Sequence, residues 1–152
     1  MRDRWYGDDR DVVKWSALVH LAQREAVSKV LHVAMYRGDC QSASLTTGYG
    51  PVVLPPEVVR HFRDLNDVQR LAGATGLAIE VVKDPFVDRA SYFSSICKRV
   101  RAQGTPVIVF LDPDVGLASE SAGLEHVTSA EVAAVFASLH PGDHLVCYQH
   151  AR

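Results

Sequence analysis

Five apolar residues, Val107, Ile108, Val109, Phe110 and Leu111, run without a break into Asp112, Pro113 and Asp114. A short run of this kind, rich in β-branched and aromatic side chains, marks a strand buried on both faces of a parallel sheet. Pro113 stops it, because proline has no amide hydrogen for the ladder and disfavours helix at the residue before it. Two carboxylates are therefore held where a core strand breaks into a loop, and Gly116 lets the backbone turn there. In open α/β sheets that edge is where ligands bind.

The remaining segments supply the other elements of such a sheet. Val12, Trp15, Leu18, Val19 and Ala22 follow the helical period and predict a first helix, capped by Asp8 or Asp9 and running to about Lys29. A strand follows over 30–36, and the Ser-, Thr-, Gly- and Pro-rich stretch 40–55 reads as a loop. A second helix opens at Pro56, turns Val59, Phe62, Leu65, Leu71 and Ala72 inward, and closes at Gly73 and Gly76. A strand over 77–82, a helix over about 86–102 and the strand 106–112 come next. Thr128 and Glu131 match a capping box for a fourth helix that reaches Leu139 or His140, and the last strand is 144–150. Strands alternating with helix-length connections predict an α/β fold, a compact Rossmann-like three-layer sandwich with a mostly parallel sheet of about four strands, in one domain over 1–152.

A formal net charge of -2 over 152 residues gives no general electrostatic reason to bind nucleic acid. The best local basic patch, Lys98-Arg99-x-Arg101, reads as a solvated helix face. Cys40, Cys97 and Cys147 are too widely spaced for a structural zinc site, and a chain this large and apolar does not call for a disulfide framework. The N-terminal residues are polar, and no run approaches the ~20 apolar residues that cross a bilayer, so a cytoplasmic protein with no membrane contact is expected. Gly-x-Ser-x-Gly, P-loop and Gly-x-Gly-x-x-Gly signatures are all missing, which leaves serine hydrolase, NTPase and dinucleotide readings without a motif.

Helices in such folds run antiparallel to the strands, so helix starts and strand ends share one edge. That places Tyr6, Asp8, Asp11, Arg37, Asp39, Lys83, Asp84, Asp112, Asp114, Glu131, Tyr148 and His150 on one rim. Helix N-termini there would favour an anionic ligand. Some of these residues have plainer duties available: Asp8 as a cap, Glu131 as half of a capping box, Asp84 and Asp112 as strand terminators before proline. Two carboxylates around one proline exceed what ending a strand requires, and they repel unless a cation or a proton lies between them.

Tyr6-Gly7-Asp8 with Asp11 and Lys14, the segment Phe110 to Leu117, and Tyr148-Gln149-His150 together resemble the motifs of an uncharacterised bacterial protein family. Its members begin with a Tyr-x-Gly-Asp-x-x-Asp-x-x-Lys pattern, carry Phe-Leu-Asp-Pro-Asp-x-Gly-Leu centrally and end near Tyr-Gln-His. In this chain Tyr6 adjoins Gly7 directly. The resemblance implies that the three patches belong to one site, without naming a reaction.

The chemistry expected first is that of a metal-dependent, nuclease-like hydrolase acting on phosphate esters, with nucleic acid or a nucleotide as partner. Asp112, Asp114 and Asp8 would hold Mg²⁺ through hard oxygen ligands. His150 would act as general acid or base, Lys14 would join the catalytic group and contact phosphate with Arg37, and Tyr6 and Tyr148 would meet the substrate. The Asp-x-Asp spacing is similar to the metal motif of Toprim domains, which need a glutamate on an earlier strand; Glu80 is mid-strand. A second expectation is a methyltransferase-like domain, active or degenerate, since Leu-Asp-Pro-Asp is similar to the Asp-Pro-Pro-Tyr strand end of those enzymes. The single glycine of Tyr36-Arg37-Gly38-Asp39-Cys40 argues against S-adenosylmethionine. The third is a non-enzymatic binding or regulatory module.

Overall fold

The computed structural model describes residues 6–38, 44–53, 55, 57–58, 64–104, 106–118 and 122–150. Its centre is a four-stranded, all-parallel sheet: β1 (Lys29–Val33), β4 (Ala78–Val82), β5 (Ile108–Leu111) and β8 (His144–Cys147), in the spatial order β4-β1-β5-β8. Leu31 lies opposite Glu80 on one side and Val109 on the other, and Phe110 lies opposite Val146. The fold is the α/β sandwich that strand–helix alternation predicts.

Alternate residues of each strand serve opposite faces. Leu31, Val33, Val109 and Leu111 pack with Phe93, Ile96 and Val100 of α3 (Arg89–Arg101), and with Val135 of α4 (Ser129–Phe136). Val30, Ile108 and Phe110 pack with Trp15, Leu18 and Ala22 of α1 (Asp9–Arg24) and with Val68 from a 3-10 turn, Leu65–Arg70. The segment that leads from β1 to β4 thus lies on one face, and those that lead from β4 to β5 and from β5 to β8 lie on the other. This is the distribution expected when every crossover is right-handed, because the chain moves in opposite directions along the sheet.

Several boundaries differ from the sequence expectation. α1 stops at Arg24 rather than near Lys29, because Ala26 turns left-handed (φ 54°) and the Val27 amide bonds back to the Ala22 carbonyl at 2.9 Å. β1 stops at Val33 because buried Met35 is also left-handed (φ 46°), its amide donating to the Tyr92 hydroxyl at 3.1 Å. Within the expected loop, β2 (Ser44–Thr47) and β3 (Gly50–Val53) form an antiparallel hairpin. Of the expected second helix, Glu57 and Val58 are helical, and from Asp64 the chain runs through a 3-10 turn capped by Asp64 into the short α2 (Leu71–Thr75), which ends at left-handed Gly76; Pro56, Val59 and Phe62 lie outside the described residues, as do Asp39 and Cys40. A small parallel ladder, β6 (Gly116–Ala118) with β7 (His126–Thr128), leads into α4. The Thr128–Glu131 capping box is formed, and α4 ends at Phe136 rather than at Leu139. Among the described residues, no helix is long and apolar enough to cross a membrane.

Candidate functional site

The chain leaves β1 toward β4 on one side, and leaves β5 toward β8 on the other. The carboxyl ends of β1 and β5 therefore flank the topological switch point, the crevice where doubly wound sheets bind ligands. Arg37, four residues past β1, forms an ion pair there with Asp114, and its second terminal nitrogen lies 3.6 Å from Glu125.

Beside this crevice, under α1, lies a buried polar chain. Asp112 is 1% exposed, and its amide is tied to the Val33 carbonyl at 3.0 Å. One carboxylate oxygen accepts from the Lys14 ammonium at 2.9 Å; the other meets His32 Nε2 at 3.1 Å. Lys14 also donates to Asp11 at 3.0 Å, and the second Asp11 oxygen accepts the Gly7 amide at 2.8 Å. The ammonium thus supplies the cation that two neighbouring carboxylates require. His32 is fully buried, stacked on Phe110 with ring centres 5.1 Å apart and met edge-on by Trp15 at 5.4 Å.

The charges follow from these contacts. Burial alone would raise the pKa of Asp112, but the hydrogen bond from His32 and the positive charge of Lys14 outweigh it, and the carboxyl falls below its usual range. Burial would likewise lower Lys14, yet Asp112 and Asp11 more than compensate, so the ammonium stays protonated beyond the ordinary lysine range. Asp11 is raised by burial, against the pull of Lys14 and the Gly7 amide. At neutral pH Lys14 is therefore a fixed cation rather than a proton acceptor. Cys147, pushed up to about 11 by burial and then by the Asp112 charge, is not a nucleophile.

Lys14 opens onto a hollow of about 550 Å³ between α1 and β8, together with Arg10, Phe110, Tyr148 and His150. The ammonium sits 4.2 Å from the centre of the Tyr148 ring, and the Tyr148 hydroxyl shares a 3.2 Å hydrogen bond with His150 Nδ1. The C-terminal segment is pinned against the loop after β5. The His150 amide donates to the Val115 carbonyl at 2.9 Å, and the Leu117 amide donates to Gln149 at 2.8 Å. Gly116 is required here: its φ is +127°, and a Cβ would collide with the Gln149 side-chain amide. The segments around Asp11, Asp112 and Tyr148 meet in space, with Asp112 joined to Asp11 through Lys14, and His150 reaching the group through Tyr148.

Other expected site residues lie elsewhere. Tyr6 lines a separate hollow on the far flank of α1, beside Asp67 and Arg70, so it does not share the Lys14–His150 mouth. Asp8 is the N-cap of α1, accepting from the Arg10 and Asp11 amides at 3.0 and 3.1 Å. Its carboxylate fills the helix terminus that was expected to attract an anionic ligand. Glu131 closes the capping box and clamps Arg89 at 2.7 Å, Asp84 pairs with Arg99 at 2.9 Å, and Glu80 pairs with Lys29 at 2.9 Å. The Mg²⁺ expectation needs Asp112, Asp114 and Asp8 to share one ion. They are committed separately, to Lys14 and His32, to Arg37, and to backbone amides. Among the described residues no group of three His, Cys, Asp or Glu is placed to hold a metal. The present arrangement does not fit the ion. His32 is not among the residues the sequence predicts for the site; its one signal is a lone histidine inside an apolar strand, Val30-Leu31-His32-Val33.

Comparison with known protein families, with curated proteins and with solved structures returned no match.

Proposed function

We propose that the mouth beside the switch point is the active centre of a hydrolase acting on phosphate esters, with a nucleotide or nucleic acid as substrate. The observation that carries this reading is the Lys14 ammonium, kept charged between Asp11 and Asp112 yet facing a hollow that also presents His150. A fixed cation in a partly desolvated mouth stabilises the charge that develops on a phosphoryl oxygen. Arg10 adds a second positive charge at the same hollow. With its Nδ1–H donated to the Tyr148 hydroxyl, His150 keeps a lone pair on Nε2 with which it takes a proton from an attacking water; the water oxygen bonds to phosphorus and the ester bond breaks. The proton then returns to the leaving oxygen.

The test is hydrolysis of bis(p-nitrophenyl) phosphate and of end-labelled single-stranded DNA and RNA, each in EDTA and in Mg²⁺. Turnover that is lost in both Lys14→Ala and His150→Ala is the expected result. Turnover that survives both substitutions, or no turnover with no saturable mononucleotide binding by calorimetry, would overturn the reading. Saturable binding without turnover would replace the enzyme with a binding module.

A further inference from the structure

A fully buried histidine is expected to satisfy both ring nitrogens or to give way to an apolar residue, since an unpaired polar atom in the core is costly. His32 does neither. Its Nε2 meets Asp112 at 3.1 Å, while Nδ1 has no hydrogen-bond partner among the described residues, and the residue is 0% exposed. The ring is held from two directions by residues adjacent to the polar chain. Phe110, two positions before Asp112 on β5, stacks on it; Trp15, next to Lys14 on α1, meets its edge. The two elements that carry Lys14 and lead into Asp112, α1 and β5, thus both touch this ring.

We infer that His32 is a positioning residue, whose Nε2–H fixes the plane of the Asp112 carboxylate so that its other oxygen holds Lys14 at the mouth. A carboxylate buried this deeply needs a donor on each oxygen, and one ammonium on Oδ1 leaves Oδ2 bare. The unpartnered Nδ1 assigns the tautomer: the ring carries its proton on Nε2, and the core avoids a second buried, unsatisfied N–H. The working role of this chain, from His32 through Asp112 to Lys14, rests on the phosphate-ester reading above, but the contacts themselves can be tested without any substrate.

The experiment combines imidazole ¹⁵N spectra with a double-mutant cycle read as urea midpoints. Wild-type His32 should show the Nε2–H tautomer, and Asp112→Asn should alter that signature. His32→Phe, which keeps the packing, should lower the midpoint by at least twice as much in the wild type as in the Asp112→Asn background. His32→Gln, which can place a donor near the Nε2 position, should recover part of the loss and serves as the folded variant if the phenylalanine form does not fold. Equal drops in both backgrounds, no recovery with glutamine, or the Nδ1–H tautomer would each overturn the inference. Failed catalysis with an intact cycle would remove the phosphate-ester reading alone.

Discussion

The two faces of one sheet differ in kind. Under α3 and α4, Leu31, Val33, Val109 and Leu111 join a large apolar cluster with Phe93, Ile96, Val100 and Val135. Under α1 the same strands turn His32 and Asp112 inward, and hollows flank the helix on both sides. Strand periodicity makes this division possible, because alternate residues of a single strand face opposite layers. The α3–α4 face supplies stability chiefly through apolar burial. The α1 face gives up close packing for a charged chain, and buried ion pairs are weak sources of stability. The proposed site lies on the α1 face for this reason.

Substitutions can break the comparison in order of size. Asp112→Ala strands Lys14 and His32 in the core, and breaking a buried pair costs about 4 kcal/mol; the loss should appear in urea unfolding together with loss of any turnover. Ile96→Ala on the opposite face should cost about 3 kcal/mol by cavity formation, with kcat/KM unchanged at temperatures where the variant is folded. If it impaired turnover as strongly as Asp112→Ala, the division of labour would be wrong. Gly116→Ala meets both an unfavourable φ and the Gln149 side chain, and should cost about 2 kcal/mol. Adding Gln149→Ala should recover the steric part of that loss in the same unfolding assay. Thr128→Ala removes one half of the capping box at the start of α4 and should cost about 1 kcal/mol, leaving the α1 face untouched.

The sequence made the sheet legible because its buried strands are unbroken apolar runs, 107–111 above all, and because helix-length segments separate them. Caps were readable for the same local reason: Asp8 and Thr128 act within three residues of themselves. The strand order and the switch point were not, since pairing depends on crossovers that leave no local pattern. The hairpin of β2 and β3 was hidden by turn-forming residues, and the left-handed turns at Ala26 and Met35 ended elements earlier than hydrophobic pattern suggested. Of the site, Asp112, Lys14, Tyr148 and His150 were legible as chemistry at strand and helix ends. Their partners were not. Whether Asp112 meets a metal, a lysine or a histidine depends on side chains 98 and 80 residues away, and His32 was masked by the apolar strand around it.

The most direct test of the central claim is the titration of the Lys14 ammonium, followed by NMR on selectively labelled protein. A pKa above the ordinary 10.5 is expected, falling when Asp112→Asn removes the stronger of the two carboxylate influences on it. By linkage, the stability that Lys14 contributes is complete below the unfolded value and is lost as pH rises through the raised folded one, so Lys14→Met should flatten the alkaline limb of the stability curve. A Lys14 that titrates at or below the ordinary lysine value, unmoved by Asp112→Asn, would mean that no fixed cation stands at the mouth.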